Sequence, residues 1–177
     1  FDDGNRWQSL QLNLPASPVM DLKVHRGDLA VATQGRSFWI LDDLGPLREL
    51  AADAAPRAAR LYAPRAAARG VGGLPLQEVD LQLPDNLPHG ALIHYRLAAD
   101  APDATIEILD ARGTVLRRFR AGSKAPDLLA TKPGFHRVVW DLRAEGPIGA
   151  KPDDGEERAE KGVKVPPGRY TVRLTAL

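Results

Sequence analysis

The sequence contains no cysteine among its 177 residues. Disulfide scaffolds, thiol catalysis and zinc sites with cysteine ligands are therefore excluded. Long apolar runs are also missing, because no uncharged apolar stretch approaches the ~18 residues of a membrane-spanning helix, and no signal peptide is recognisable. We therefore expect no membrane insertion. The chain begins at Phe1, without a methionine and inside a motif, which favours a fragment whose targeting segment lies upstream.

The chain has almost no excess of either charge. Its 24 basic residues balance 23 acidic ones and leave a net charge of +1, which argues against a nucleic-acid partner. The segment 44–73 does carry a basic run, formed by Arg57, Arg60, Arg65 and Arg69. This run is irregularly spaced and holds one aromatic residue, Tyr62, so a solvated linker is favoured over a stacking platform for single-stranded nucleic acid.

The composition that remains is that of a globular protein rich in turns. Hydrophobic residues make up 44% of the chain and charged residues 27%, which is typical of a folded domain. Its 16 glycines and 15 prolines exceed average usage and indicate many turns between short strands. A chain of this length suits one domain, or one domain and part of another.

Residues 1–43 predict an antiparallel meander of three or four strands, with a further strand leading out of the N-terminal motif. β-prone segments follow one another there: residues 19–25, 28–33 and 37–41. Gly27 and Gly35 lie in connections short enough for hairpins. Apolar side chains fall on both faces of this meander. We therefore expect residues 1–43 to self-associate or to pack tightly on residues 74–177.

Residues 44–73 predict an Ala/Arg-rich linker with a short helix, because Pro46 fits a first helical turn. Near the end of this linker, Leu61 and Tyr62 are expected to enter a strand. Residues 74–177 return to the alternation of β-strands: 91–97, 105–109, 114–119, 136–142 and 170–174. The turn between the second and third of these contains Asp110 and Gly113, which suit a hairpin. Strands at this spacing, without long helices between them, indicate a β-sandwich. The segment 151–164 is charged and lacks apolar periodicity, so we expect a mobile surface loop.

The N-terminal residues Asp2, Gly4 and Trp7 have the spacing of the Asp box, the turn element of bacterial neuraminidase-repeat β-propellers. In such a turn the carboxylate caps backbone amides, glycine takes the tight corner and tryptophan packs between sheets. Residues 19–25, followed by 32–43 with Gly35, Arg36 and Trp39, resemble the final blade of sortilin-type and neuraminidase-repeat propellers.

The second half is similar to the immunoglobulin-like domain of the flagellar hook-capping protein, which is attached to many secreted propellers. The similar segments are 61–65, 88–95, 106–113, 133–143 and 166–174, and they include Trp140, Gly168 and Tyr170. The resemblance implies an all-β protein. It would consist of the last propeller-blade segment at 1–43, the linker at 44–73 and an immunoglobulin-like β-sandwich at 74–177.

The sequence predicts no catalytic, cofactor-binding or metal-binding residue. Asp42 and Asp43 are adjacent on a strand and would point to opposite faces, which does not suit a glycosidase pair. The histidines are His25, His89, His94 and His136, and their spacing is not that of metal ligands. We expect them to be exposed or half-buried. Trp140 shares a face with Val138 and Leu142, which predicts a core position.

The resemblance implies a non-catalytic accessory or structural region at the C-terminal end of a glycosyl-hydrolase-like propeller protein. That protein would be periplasmic or secreted, and the region would pack on the remainder of its own propeller or bind a protein or glycan partner. Two alternatives stay open. A carbohydrate-binding module would need exposed aromatic residues on one sheet face, and a glycoside hydrolase would need a convergent acid/base pair.

Overall fold

The computed structural model describes residues 4, 5, 7, 9–52, 57–69, 88–123, 127–146 and 162–176. These residues form nine strands and one short helix, so the protein is mostly β, as the sequence predicts. The strands make three small antiparallel sheets. The chain divides into two compact units, residues 1–56 and 57–177, and the division falls inside the segment expected to be a linker. We call them the first and second unit.

The first unit is a three-stranded meander followed by a helix. Its elements are β1 (Val19–His25), β2 (Asp28–Thr33), β3 (Phe38–Leu41) and α1 (Gly45–Ala52), and the sheet order is β1-β2-β3. Arg26 and Gly27 connect β1 to β2 with φ of 50° and 87°. Positive φ at both central residues defines the type I′ turn, whose twist suits a two-residue hairpin.

Two details of the first unit differ from the expectation. The described residues between Trp7 and Pro18 form turns and no strand, so the strand expected to lead out of the N-terminal motif is not formed there. The alternation of β1 is also broken, because the register with β2 shifts between Val19 and Asp21. Such a bulge places two residues of one strand opposite one residue of its neighbour.

The second unit contains two three-stranded antiparallel sheets. Its strands are β4 (Ala59–Leu61), β5 (Ala91–Leu97), β6 (Thr105–Leu109), β7 (Val115–Arg120), β8 (Gly134–Trp140) and β9 (Thr171–Thr175). The sheet orders are β4-β5-β8 and β7-β6-β9. β4 lies inside the segment expected to be a linker, because the linker's second half pairs with β5 instead of remaining solvated.

Both sheets of the second unit contribute to one hydrophobic core. Its buried strand residues are Ile93, Tyr95, Leu97, Ile106, Ile108, Phe119, Val138 and Trp140. Burying a large apolar side chain contributes roughly 1.5–3 kcal/mol each. The polar atom of Tyr95 is satisfied, since its hydroxyl donates to the Ala130 carbonyl at 2.7 Å. Burial raises the pKa of Tyr95 to about 12.

A short backbone ladder joins residues 142–144 to residues 163–165 in the second unit. The Ala144 amide donates to the Val163 carbonyl at 3.0 Å, and the Val165 amide donates to the Leu142 carbonyl at 2.9 Å. The expected mobile loop therefore ends in an anchored segment, which corrects the prediction for residues 162–164. Residues 151–161 of that loop lie outside the described residues.

An ion pair between a buried arginine and a half-buried aspartate lies beside this ladder. The Arg117 side chain is buried, and its Nε donates to Asp127 Oδ1 at 2.9 Å. Its Nη1 donates to the Ala144 carbonyl at 3.3 Å. Buried charges require such partners, because an unpaired charge in a core is strongly destabilising. Arg117 thus connects β7 to two loops of the second unit.

Candidate functional site

The N-terminal motif forms a tight turn that carries an exposed indole. Gly4 has a φ of 88°, and Trp7 Nε1 donates to the Gly4 carbonyl at 2.8 Å. The Trp7 ring is 89% exposed, and it packs between no two of the described sheets. The ring lies over its own turn, within 3.7 Å of a Cβ placed on Gly4, and its only polar atom is satisfied locally. Asp2 lies outside the described residues.

The turn between β2 and β3 repeats the same indole contact. Trp39 Nε1 donates to the Arg36 carbonyl, three residues earlier, at 2.8 Å. Gly35 and Ser37 have φ of 71° and 68°, and Thr33 Oγ1 donates to the Ser37 carbonyl at 2.7 Å. The Trp39 ring is half-buried. Arg36 contributes its backbone carbonyl to this turn, which is a structural role.

Trp140 and Tyr170 meet at the edge of the second unit's core. Trp140 is 3% exposed, in agreement with its predicted core position, and its Nε1 donates to the Arg143 carbonyl at 2.8 Å. The Tyr170 ring approaches it edge-on, with centroids 5.2 Å apart and planes at 74°. The Tyr170 hydroxyl donates to the Pro166 carbonyl, four residues earlier. Gly168 lies against the Tyr170 ring, where a Cβ would be 3.9 Å away.

The sheet of the first unit carries apolar side chains on both faces. One face holds two cross-strand rows, Leu22–Val31–Trp39 and Val24–Leu29–Leu41. The opposite face is mixed, because its rows are Asp21–Ala32–Phe38 and Lys23–Ala30–Ile40. Phe38 is 77% exposed. The expected distribution of apolar side chains over both faces is therefore present, and it leaves large side chains in water.

An aromatic cluster lies on the outer side of the β4-β5-β8 sheet. The Phe135 ring is 5.3 Å from the Tyr62 ring and 5.6 Å from the His94 ring, between centroids. Tyr62 and His94 are buried, whereas Phe135 is exposed. The expectation that His94 is exposed or half-buried is wrong. The pairing of β5 with β8 brings the His94 and Phe135 rings together, and the sequence carries no local signal of this contact.

The outer side of the β7-β6-β9 sheet carries a charged triad. Glu107 on the central strand accepts from Arg118 Nε at 2.8 Å and from Arg173 Nε at 2.9 Å. The hydrogen bond from Arg118, followed by that from Arg173, holds the pKa of the Glu107 carboxyl below its usual value. Opposite charges on neighbouring strands stabilise a sheet, so this triad links all three strands.

Replacing Glu107 with glutamine should make the protein less sensitive to acid. A carboxyl whose pKa is lowered by folding stabilises the fold above its unfolded pKa of ~4.3 and loses that effect as pH falls through the folded pKa. We expect Glu107→Gln to melt below the wild type at neutral pH. The difference in melting temperature between the wild type and Glu107→Gln, measured by circular dichroism, should become smaller at acid pH. An equal difference in melting temperature at both pH values would show that ionisation of Glu107 does not contribute to the stability of the fold.

The acidic pair and the histidines do not assemble into a site. Asp43 is buried with a φ of 59°, and its Oδ1 accepts from the Gly45 amide at 3.0 Å. It therefore caps the start of α1. The Asp43 amide donates to Asp28 Oδ1 at 2.9 Å. In the described part of the chain, no three His, Asp or Glu side chains lie close enough to hold a metal ion.

The chain matches no family of known proteins, no curated protein and no solved structure. In the described residues, no helix has the length and apolarity needed to cross a bilayer.

Proposed function

We propose that the chain is a non-catalytic accessory or structural region of a secreted or periplasmic, glycosyl-hydrolase-like propeller protein. Its second unit would be an immunoglobulin-like β-sandwich, and its first unit a segment of the last propeller blade. The region's partner would be the remainder of its own propeller. This proposal needs no acid/base pair, and it assigns the described surfaces to packing.

The tyrosine hydrogen bond before β9 carries the proposal for the second unit. In immunoglobulin-type sandwiches, a tyrosine near the start of strand F bonds back to the backbone a few residues upstream. Tyr170 directly precedes β9 and donates to the Pro166 carbonyl. The strand orders support the same assignment, since β4-β5-β8 and β7-β6-β9 correspond to the A-B-E and C′-C-F orders of that fold.

The exposed apolar faces of the first unit support its assignment as a blade segment. Propeller blades are antiparallel sheets that stack face to face around an axis, so each blade needs apolar residues on both faces. The β1-β2-β3 sheet has them, with Leu22 and Val24 exposed on one face and Phe38 and Ile40 on the other. A solitary sheet in water would gain nothing from this pattern.

Two measurements test the proposed role. The immobilised chain should capture the separately produced N-terminal part of the same protein, and the Phe38→Ser variant should capture less of it. The chain alone should release no chromophore from a panel of aryl glycosides. Failure of capture would overturn the accessory role, whereas turnover by the chain would favour the glycoside hydrolase alternative.

A carbohydrate-binding function is favoured by one observation, the exposed and locally fixed indole of Trp7. Sugar rings stack on exposed aromatic faces, and the bond to Gly4 fixes the Trp7 ring without covering it. Glycan-array binding that is lost in Trp7→Ala would support this function. Binding that survives this substitution would separate the activity from Trp7.

A further inference from the structure

The strand β1 offers a free edge in the first unit. All seven residues of Val19–His25 are exposed, and β2 is the neighbour of β1 among the described strands. His25 pairs with Asp28 across the two-residue turn, which makes them a hydrogen-bonded pair. Bonded and non-bonded pairs alternate along an antiparallel ladder. The amides of Leu22 and Val24 therefore point away from β2.

A hydrogen bond at Leu22 agrees with this direction. The Leu22 amide donates to Asp21 Oδ1 at 2.8 Å, at an exposed position. The carboxylate thus occupies a donor that another strand could use. Unpaired strand edges bind further strands readily unless they are blocked. In β1, one aspartate side chain occupies the central donor and a bulge lies at the start of the strand, between Val19 and Asp21. No proline interrupts the strand, and residues 21–25 pair with β2 without a further shift.

The sequence of β1 is complementary to itself in the antiparallel direction. We propose that β1 pairs with β1 of a second copy of this chain, about a two-fold axis at Leu22, to give a six-stranded sheet. In this register Asp21 lies opposite Lys23 of the second copy, and Lys23 lies opposite its Asp21. The two-fold axis makes each contact occur twice.

The hydrogen-bond geometry supports this register. The outward Leu22 amides can exchange bonds across the axis, so Asp21 and Lys23 form non-hydrogen-bonded pairs, in which side chains approach most closely. On pairing, the Asp21 carboxylate gives up its hydrogen bond from the Leu22 amide and forms an ion pair with the Lys23 ammonium of the second copy. Opposite charges in such pairs stabilise a sheet, and like charges destabilise it.

Neighbouring registers are disfavoured by charge. Between the two copies, a residue whose amide points outward can form a hydrogen-bonded pair only with another residue of this kind. The two-fold axis must therefore pass through a residue of β1 and not between two residues. An axis at Asp21 would place the two Asp21 carboxylates opposite each other. An axis at Lys23 would place the two Lys23 ammonium groups opposite each other. The register at Leu22 also joins the apolar row Leu22–Val31–Trp39 of one copy to that of the other. The inference uses β1 alone and does not depend on the proposed accessory role.

Charge reversal in the full chain tests the pairing. Sedimentation velocity over a wide concentration range should show a monomer–dimer equilibrium. Asp21→Lys and Lys23→Asp should each weaken the dimer about tenfold or more, because each places like charges opposite each other twice. The double variant Asp21→Lys/Lys23→Asp exchanges the two charges, and its dissociation constant should return to within about threefold of the wild type.

Two variants control for net charge. Asp103→Lys and Arg112→Asp change the charge by the same amounts at exposed turns of the second unit, and both should dimerise as the wild type does. Circular dichroism melts of every variant report folding separately. A monomeric wild-type chain at all concentrations would overturn the pairing. So would single variants that associate normally, or a double variant that stays as weak as the single ones.

Discussion

Replacing Trp140 with alanine should lower the free energy of unfolding by about 3–5 kcal/mol. The ring is a buried member of the core, it packs edge-on against Tyr170 at 5.2 Å, and its indole nitrogen satisfies the Arg143 carbonyl. The substitution therefore removes apolar burial, opens a cavity and leaves a carbonyl without its donor. Urea unfolding followed by circular dichroism measures the change.

Trp7→Ala is the matched control for that experiment. The Trp7 indole makes the same kind of bond to a nearby carbonyl, but its ring is almost fully exposed. Surface substitutions of this kind stay within about 0.5 kcal/mol. Equal losses for the two variants would contradict the burial difference. A stable Trp140→Ala variant that had lost glycan binding would instead move Trp140 from the core to a binding face.

Gly90→Ala should destabilise the second unit by about 3 kcal/mol or more, at the upper end of single-substitution effects. Gly90 has a φ of 136°, and a Cβ there would lie 2.2 Å from the Trp140 carbonyl oxygen. That oxygen belongs to the backbone, at the end where Ala91 pairs with Trp140. The clash can be relieved only by separating β5 from β8. Denaturant melts of the purified variant measure the loss.

Gly113→Ala is the control that separates the cost of a steric clash from the cost of a positive φ at a non-glycine residue. Gly113 also has a positive φ, 82°, but a Cβ there would meet nothing within 4 Å. Its cost should be the conformational one alone, roughly 1–2 kcal/mol. If Gly90→Ala cost no more than Gly113→Ala, the close approach of Gly90 to Trp140 would not constrain the fold.

Local chemistry made several elements predictable from the sequence. Asp110 accepts from the amides of Arg112 and Thr114 at 2.9 and 2.8 Å, and Gly113 takes the positive φ, as the turn motif predicts. The β5 alternation likewise places Ile93, Tyr95 and Leu97 in the core. These features depend on neighbours in the chain, which a single sequence displays.

The features that were missed depend on distant partners. β4 was expected only in part, at Leu61, because it is three residues long and has no alternation to recognise. It is defined by pairing with β5, about thirty residues later in the chain. The burial of His94 and the exposure of Trp7 are also set by tertiary contacts, and periodicity does not encode these. The charges of Asp21 and Lys23 are visible in the sequence, but the register about Leu22 depends on the direction of the Leu22 amide.

The ladder between residues 142–144 and 163–165 should allow insertions in the chain that connects its two sides. Both ends are held by backbone hydrogen bonds, so residues inserted between them would not pull on the core. Closing a longer loop costs little, about 0.6 kcal/mol for each doubling of its length. An affinity tag or a small folded domain inserted there should be tolerated.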